Sequence, residues 1–178
     1  QVSDPDSRPR AGTTALSRVA IMEKLRALES VPGYKIAAVQ ARIRDWEKPR
    51  NGLAIIVSDA PVSVAGVFTQ NQVAAAPVKI DRKHLNSSGG VARAVLVNAG
   101  VANACTGREG RQNPQKPIKR VAGRIKAGED QIPVASTRVI RRQLPLANLE
   151  PGVHLAPHNH GQAKARDFAN AFLTTDLN

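Results

Sequence analysis

Two short segments hold residues whose types and spacing suit chemistry. Val134-Ala135-Ser136-Thr137-Arg138-Val139-Ile140 reads as a strand that ends in two hydroxyls. A side-chain O–H and the backbone N–H groups that follow it can together face a developing oxyanion, which is what acyl transfer needs most. The same pattern also serves as an ordinary strand end. Asn98-Ala99-Gly100-Val101-Ala102-Asn103-Ala104-Cys105-Thr106-Gly107 follows directly on an apolar run. Its glycines and small side chains let backbone come close to a ligand or to a neighbouring strand. Cys105 has no evident base beside it, so a small buried thiol is expected rather than a nucleophile. His154, His158 and His160 could ligate a metal from a loop, but no acidic or cysteine ligand accompanies them. Pro157 and Gly161 mark a surface turn there, and no metal site is expected. Neither a phosphate-binding G-x-x-x-x-G-K-[ST] nor a dinucleotide-binding G-x-G-x-x-G is present, which disfavours ATP or NAD chemistry, and no cofactor is expected.

The elements that must position these segments are short. Residues 1–12 are polar with two prolines and read as a lead-in. Leu16, Val19, Ile21, Leu25 and Leu28 recur at helical spacing, which predicts a helix over 14–29 capped by Thr13 or Thr14 and ended by Val31-Pro32-Gly33. Apolar runs bounded by turn residues predict strands at Lys35–Val39, Leu53–Ser58, Val64–Thr69, Val73–Ile80 and Val91–Asn98. The runs Ala54–Val57 and Ala94–Val97 are continuously apolar, as strands covered on both faces are. Weak helical spacing over 114–127 predicts a helix held to the C-terminal side of Pro114 and Pro117. A short strand is expected at Val134–Thr137 and a helix at Gln162–Leu173. The whole reads as a layered α/β sandwich, with residues 1–30 as lead-in and helix and residues 31–178 as the domain proper.

Length and composition agree. A chain of 178 residues, 42% hydrophobic and 22% charged, suffices for one domain or part of one. Aromatics at 3% argue against base-stacking platforms and leave an aliphatic core. Cys105 is the one cysteine, which fits a reducing, cytoplasmic setting. No run approaches the roughly 20 apolar residues of a membrane span, no signal pattern opens the chain, and a soluble protein is expected. The start at Gln1 suggests processing or a fragment. Of a net charge of +12, the stretch Cys105–Pro145 carries +7 through ten Lys and Arg residues against Glu109, Glu129 and Asp130. Such a run reads first as a solvated face. Attraction of small acidic substrates comes next, and nucleic acid is least expected.

Seven blocks in order and spacing resemble the ornithine acetyltransferase family, the bifunctional glutamate N-acetyltransferases of arginine biosynthesis. They are Val31-Pro32-Gly33-Tyr34, Ile56 to Pro61, Ala65 to Asn71, Ala75 to Val78, Asn98 to Gly107, Val134 to Ile140 and Thr174-Thr175-Asp176. The resemblance implies an αββα sandwich of the N-terminal-nucleophile type, incomplete in this chain. It implies a precursor that cleaves itself before a threonine, this chain being the α-chain portion and the new N-terminal threonine opening a β chain, in an α2β2 assembly. Acetyl would pass from N-acetylornithine to that threonine and then to glutamate. By motif position the oxyanion hole falls to the Thr137 hydroxyl and the Arg138 N–H, and the substrate site to Asn103, Thr174 and Thr175. No nucleophile is expected in this chain, and acetyl-CoA is a further donor to consider.

Three departures stand out. The chain stops before the family's Lys-Gly segment and Ala-Thr cleavage point. Both glycines of its Ser-Thr-Gly-Val-Ile-Gly motif are replaced, by Arg138 and Arg141. Where the family has Asn-Ser-Gly-Asn this chain has Asn98-Ala99-Gly100-Val101, and prolines interrupt an expected regular helix. These changes keep open a second reading, a diverged relative that retains the sandwich as a binding or structural module without chemistry.

Overall fold

The structure is a computed structural model and describes residues 31–41, 43, 51–156 and 164–172. The helix expected over 14–29, and Thr174, Thr175, His158 and His160, lie outside the described residues.

Among the described residues, four strands form one mixed sheet in the order β1-β2-β3-β4: β1 Tyr34–Gln40, β2 Asn51–Ser63, β3 Val91–Val101 and β4 Val134–Val139. The first three pair antiparallel, and β3 pairs with β4 in parallel. Parallel neighbours need a long crossover. Here it runs through α2 Gly107–Gln112, α3 Gln115–Ile125 and a 3-10 turn, Glu129–Gln131. The remaining described helices are α1 Ala76–Ser87, α4 Leu146–Leu155 and α5 Ala165–Asn170.

Alternation along the strands divides the apolar residues between two faces. Ala37, Val39, Leu53, Ile55, Val57 and Leu96 face a helical layer that contributes Ile80 from α1, Ile118 and Val121 from α3, and Leu149 and Val153 from α4. Ile36 and Ala54 face the other way and are covered by Ala165, Phe168 and Ala171 of α5, with Ala38, Ile56 and Phe172 packed against them. Both faces of the β1–β2 half are thus covered, which accounts for the continuous apolar run in β2. In β3 the second face is less covered, since Val95 and Val97 remain half-buried.

Two expected strands are not strands. Val64–Thr69 leaves the sheet after Ser63 and lies against α1, where Arg82 covers the Phe68 ring at 5.5 Å and donates to Thr69 O at 2.9 Å. Val73–Ile80 contains the start of α1, with Pro77 in its first turn, where the missing N–H has no intrahelical partner to lose. The expected helix over 114–127 forms, but Pro117 sits inside its first turn for the same reason instead of preceding it. The basic run behaves as a solvated face: Lys116, Lys119, Arg120 and Arg124 are exposed on α3 while Ile118 and Val121 are buried. Lys126 ends that helix in the left-handed conformation.

Candidate active site

The two chemistry-bearing segments lie side by side. The parallel register pairs Asn98 with Ser136, Ala99 with Thr137, Gly100 with Arg138 and Val101 with Val139. Beyond the ladder the contact continues, Ala102 N–H donating to Val139 O and Arg141 N–H to Ala104 O, both at 2.8 Å. Asn98 and Ser136 turn toward the helical layer, where they border a small void with Leu53, Leu96, Leu149 and Val153. Ser136 Oγ donates to Asn98 Oδ1 at 2.6 Å and Asn98 Nδ2 donates to Val101 O at 2.9 Å. Strand alternation therefore turns half-buried Thr137 to the opposite face of the sheet, beyond Ala135 on its own strand.

The turn after β3 is organised by Asn103. Its residue exposure is 0%. Nδ2 donates to Gly110 O and Oδ1 accepts from the Thr106 hydroxyl, both at 2.7 Å. Asn103 also adopts φ 50, within the left-handed region that asparagine tolerates better than most residues. Gly110 is required beneath it, because a β-carbon there would run into the Thr106 hydroxyl and come within 2.7 Å of Asn103 Oδ1. Asn103, expected at the substrate site, has both ends of its side chain engaged inside the protein and holds the turn. Cys105, expected to be buried, is exposed, on a left-handed backbone at φ 56. His154, read as part of a surface loop, sits in the last turn of α4.

Arg138 and Arg141 occupy backbone conformations that suit glycine, with φ 109 and φ 61. A β-carbon in such regions costs about 1–3 kcal/mol. The chain thus keeps a glycine-type backbone at both positions while carrying long cations there. Arg138 is half-buried and Arg141 exposed.

Sequence reasoning missed the residues that fix these segments from behind. Asp81 Oδ1 accepts from Val134 N–H at 2.8 Å, at the first residue of β4. Burial pushes its carboxyl up from 3.8 to about 6, with the Val134 hydrogen bond pulling the other way. His84, buried one turn later, places Nδ1 3.4 Å from Ile132 O. An acidic residue and a histidine on one side of an apolar helical stripe would have been the signal, had Val73–Ile80 not been read as a strand. Among the described residues, no group of three or more His, Cys, Asp or Glu stands together as a metal site, and no helix is long and apolar enough to cross a membrane.

Comparison with known proteins places this geometry. Residues 35–178 match the model of the ArgJ family. The arginine biosynthesis bifunctional protein ArgJ of Geobacter sulfurreducens is 43% identical over 148 residues, 83% of this chain and 36% of the relative. That of Thermotoga neapolitana is 40% identical over 144 residues, 81% of this chain and 35% of the relative. The chain therefore spans little more than a third of the length of these curated relatives. Among solved structures, ornithine acetyltransferase of Mycobacterium tuberculosis, complexed with ornithine, superposes with a TM-score of 0.78 at 32% identity, covering 87% of this chain and 82% of that one. The ArgJ protein of Bacillus halodurans gives a TM-score of 0.70 at 31% identity over 84% of this chain and 76% of that one. With the family model matched over most of its length and these relatives agreeing in fold, the chain belongs to the ArgJ family.

Proposed function

We propose that this chain is the α-chain portion of an acetyltransferase of arginine biosynthesis, moving acetyl from N-acetylornithine to glutamate. Thr137 and Arg138 form its oxyanion hole, Thr174 and Thr175 contact substrate, and the nucleophile is the N-terminal threonine of a separate β chain in an α2β2 assembly. The observation that carries this reading is the parallel register, which sets Thr137 and Arg138 near the end of β4 opposite Ala99 and Gly100 of β3. The split into two chains has its own support. The chain fills 82% of the matched M. tuberculosis chain but 36% of the Geobacter protein, so the solved chain is much the shorter of the two.

The chemistry needs no metal or cofactor. A free α-amine titrates near pH 8, so the N-terminal amine of the β-chain threonine can take the proton of its own hydroxyl. The hydroxyl oxygen attacks the acetyl carbonyl, and the developing oxyanion is met by the Thr137 O–H and the Arg138 N–H. The C–N bond to ornithine breaks as that nitrogen receives the proton, leaving an acetyl ester on the threonine. The amine of glutamate then attacks the ester and releases the threonine. Excess positive charge around Arg138, Arg141 and Arg142 favours approach of carboxylate-bearing substrates.

The test is to co-express this chain with the part of the G. sulfurreducens protein that follows the matched region and to assay acetyl transfer from N-acetylornithine to glutamate. Turnover, together with a mass gain of one acetyl group on the β-chain threonine, is expected, and the isolated chain is expected to show none. Turnover by the isolated chain would refute the assignment of the nucleophile to a β chain.

A second reading is favoured by the glycine-type backbone at Arg138 and Arg141. On it, the two arginines obstruct the site and the chain persists as a binding or structural module. An assembled complex that neither transfers nor accumulates acetyl, and does both once Arg138→Gly and Arg141→Gly are introduced, would establish it.

A further inference from the structure

Helix α1 reaches both segments of the candidate site. At its start, Ala76 N–H donates to Asn103 O at 3.2 Å. Farther along, Asp81 Oδ1 accepts from Val134 N–H at 2.8 Å. One turn later, His84 Nδ1 lies 3.4 Å from Ile132 O. One helix therefore spans the turn after β3 and the entry to β4.

Strand β4 has β3 as its strand neighbour among the described residues, so its outward amides do not belong to a ladder there. Such amides ordinarily go to solvent or to another chain. That of Val134 goes to a carboxylate, a charge-assisted bond of the stronger kind. On the inner side, Leu96 N–H donates to Pro133 O at 3.0 Å, so the start of β4 is held from both sides. Parallel pairing is slightly the weaker kind, and sliding along it moves every side chain on the strand. A displacement of about 1 Å in a reacting site can lower a rate by about 100-fold.

We infer that Asp81 is a positioning residue for acetyl transfer: by holding the first amide of β4 it fixes where the Thr137 hydroxyl and the Arg138 N–H stand relative to Ala99 and Gly100 of β3. Asp81 touches no reacting atom. The inference rests on the acetyl-transfer reading, so its test has a second readout that does not depend on turnover.

The parent, Asp81→Ala and Asp81→Asn are compared in the co-expressed complex, by steady-state kinetics and by amide hydrogen exchange at Val134. Asp81→Ala is expected to lower kcat about tenfold or more with KM within about twofold, and to speed Val134 exchange about tenfold. Asp81→Asn keeps an acceptor oxygen and is expected to stay within about threefold of the parent in both readouts. Parental kcat or parental exchange in Asp81→Ala overturns the inference, as does an equal loss in the two variants. Should Asp81→Ala fail to fold, Asp81→Asn decides alone, near-parental values upholding the inference and a loss of about tenfold overturning it. A parent complex without turnover sinks the acetyl-transfer reading instead. Val134 exchange then still judges the clamp, fast exchange in Asp81→Ala upholding it and unchanged exchange refuting it.

Discussion

Ser136 and Asn98 meet side chain to side chain at 2.6 Å across the parallel pair of β3 and β4, the serine hydroxyl donating to Asn98 Oδ1. Asn98 passes the connection on to Val101 O at 2.9 Å, so one buried amide joins β4 to the end of β3.

Removing that amide should cost more than removing the hydroxyl. Asn98→Ala leaves the Ser136 hydroxyl and the Val101 carbonyl without it in the interior, and a loss of about 2–3 kcal/mol is expected. Ser136→Ala should lose about 1 kcal/mol. Chemical denaturation of both single variants and of the double variant measures this, and a double variant equal to the sum of the singles would mean that the two side chains do not act together.

The arginines at glycine-type φ make a prediction of opposite sign. Arg138→Gly and Arg141→Gly should each stabilise the chain by about 1 kcal/mol, while Arg138→Ala and Arg141→Ala, which keep the β-carbon, should not. Thermal midpoints separate the two substitutions. If alanine stabilises as much as glycine, the guanidinium and not the backbone is the source of the strain.

Gly110→Ala should be strongly disruptive for a surface-facing sequence such as Gly107–Gln112. The added carbon meets Thr106, whose hydroxyl holds Asn103, and overpacking of this kind costs about 1–3 kcal/mol. Gly123→Ala is the control, because a β-carbon there meets nothing within 4 Å. Equal midpoints for the two variants would remove the packing argument.

The Asp81 carboxyl gives a pH dependence with a definite sign. Its value of about 6 in the folded chain stands above its ordinary 3.8, so the folded state holds the proton more tightly than the unfolded one. Its contribution to stability is therefore fully present below about pH 4 and is lost as pH rises through about 6. Asp81→Asn cannot lose a proton, so relative to the parent it should gain stability between about pH 4 and pH 8. A constant difference across that range would contradict the shift.

Much of the sheet was legible because continuous apolar runs such as Ala54–Val57 leave few alternatives to a covered strand. Val64–Thr69 has similar residues and went elsewhere. Its place is decided by Arg82 and Phe68, a tertiary contact that no local pattern announces. Helix α2, Gly-Arg-Glu-Gly-Arg-Gln, has no apolar period, and what lies against it is a buried asparagine and a threonine. Helix α4 carries Pro151 in its interior, which sequence rules read as a break. For the candidate site, the hydroxyls of Ser136 and Thr137 were visible, and alternation separates their faces. The glycine-type backbone at Arg138 and Arg141 was visible only through the resemblance, since arginine itself gives no hint of φ. Asp81 escaped because its partner is a main-chain amide far along the chain.

The crossover between β3 and β4 carries one more consequence. Pairing Ala99 with Thr137 closes a loop that contains α2, α3 and the 3-10 turn, whereas β1 and β2 pair as antiparallel neighbours across residues 41–50 alone. Closing the longer loop sacrifices more chain entropy before any contact rewards it. The strand that bears Thr137 is thus acquired after the β1–β2 pair during folding. Pulse-labelled exchange should find β4 amides protected later than those of β2, and simultaneous protection would count against this order.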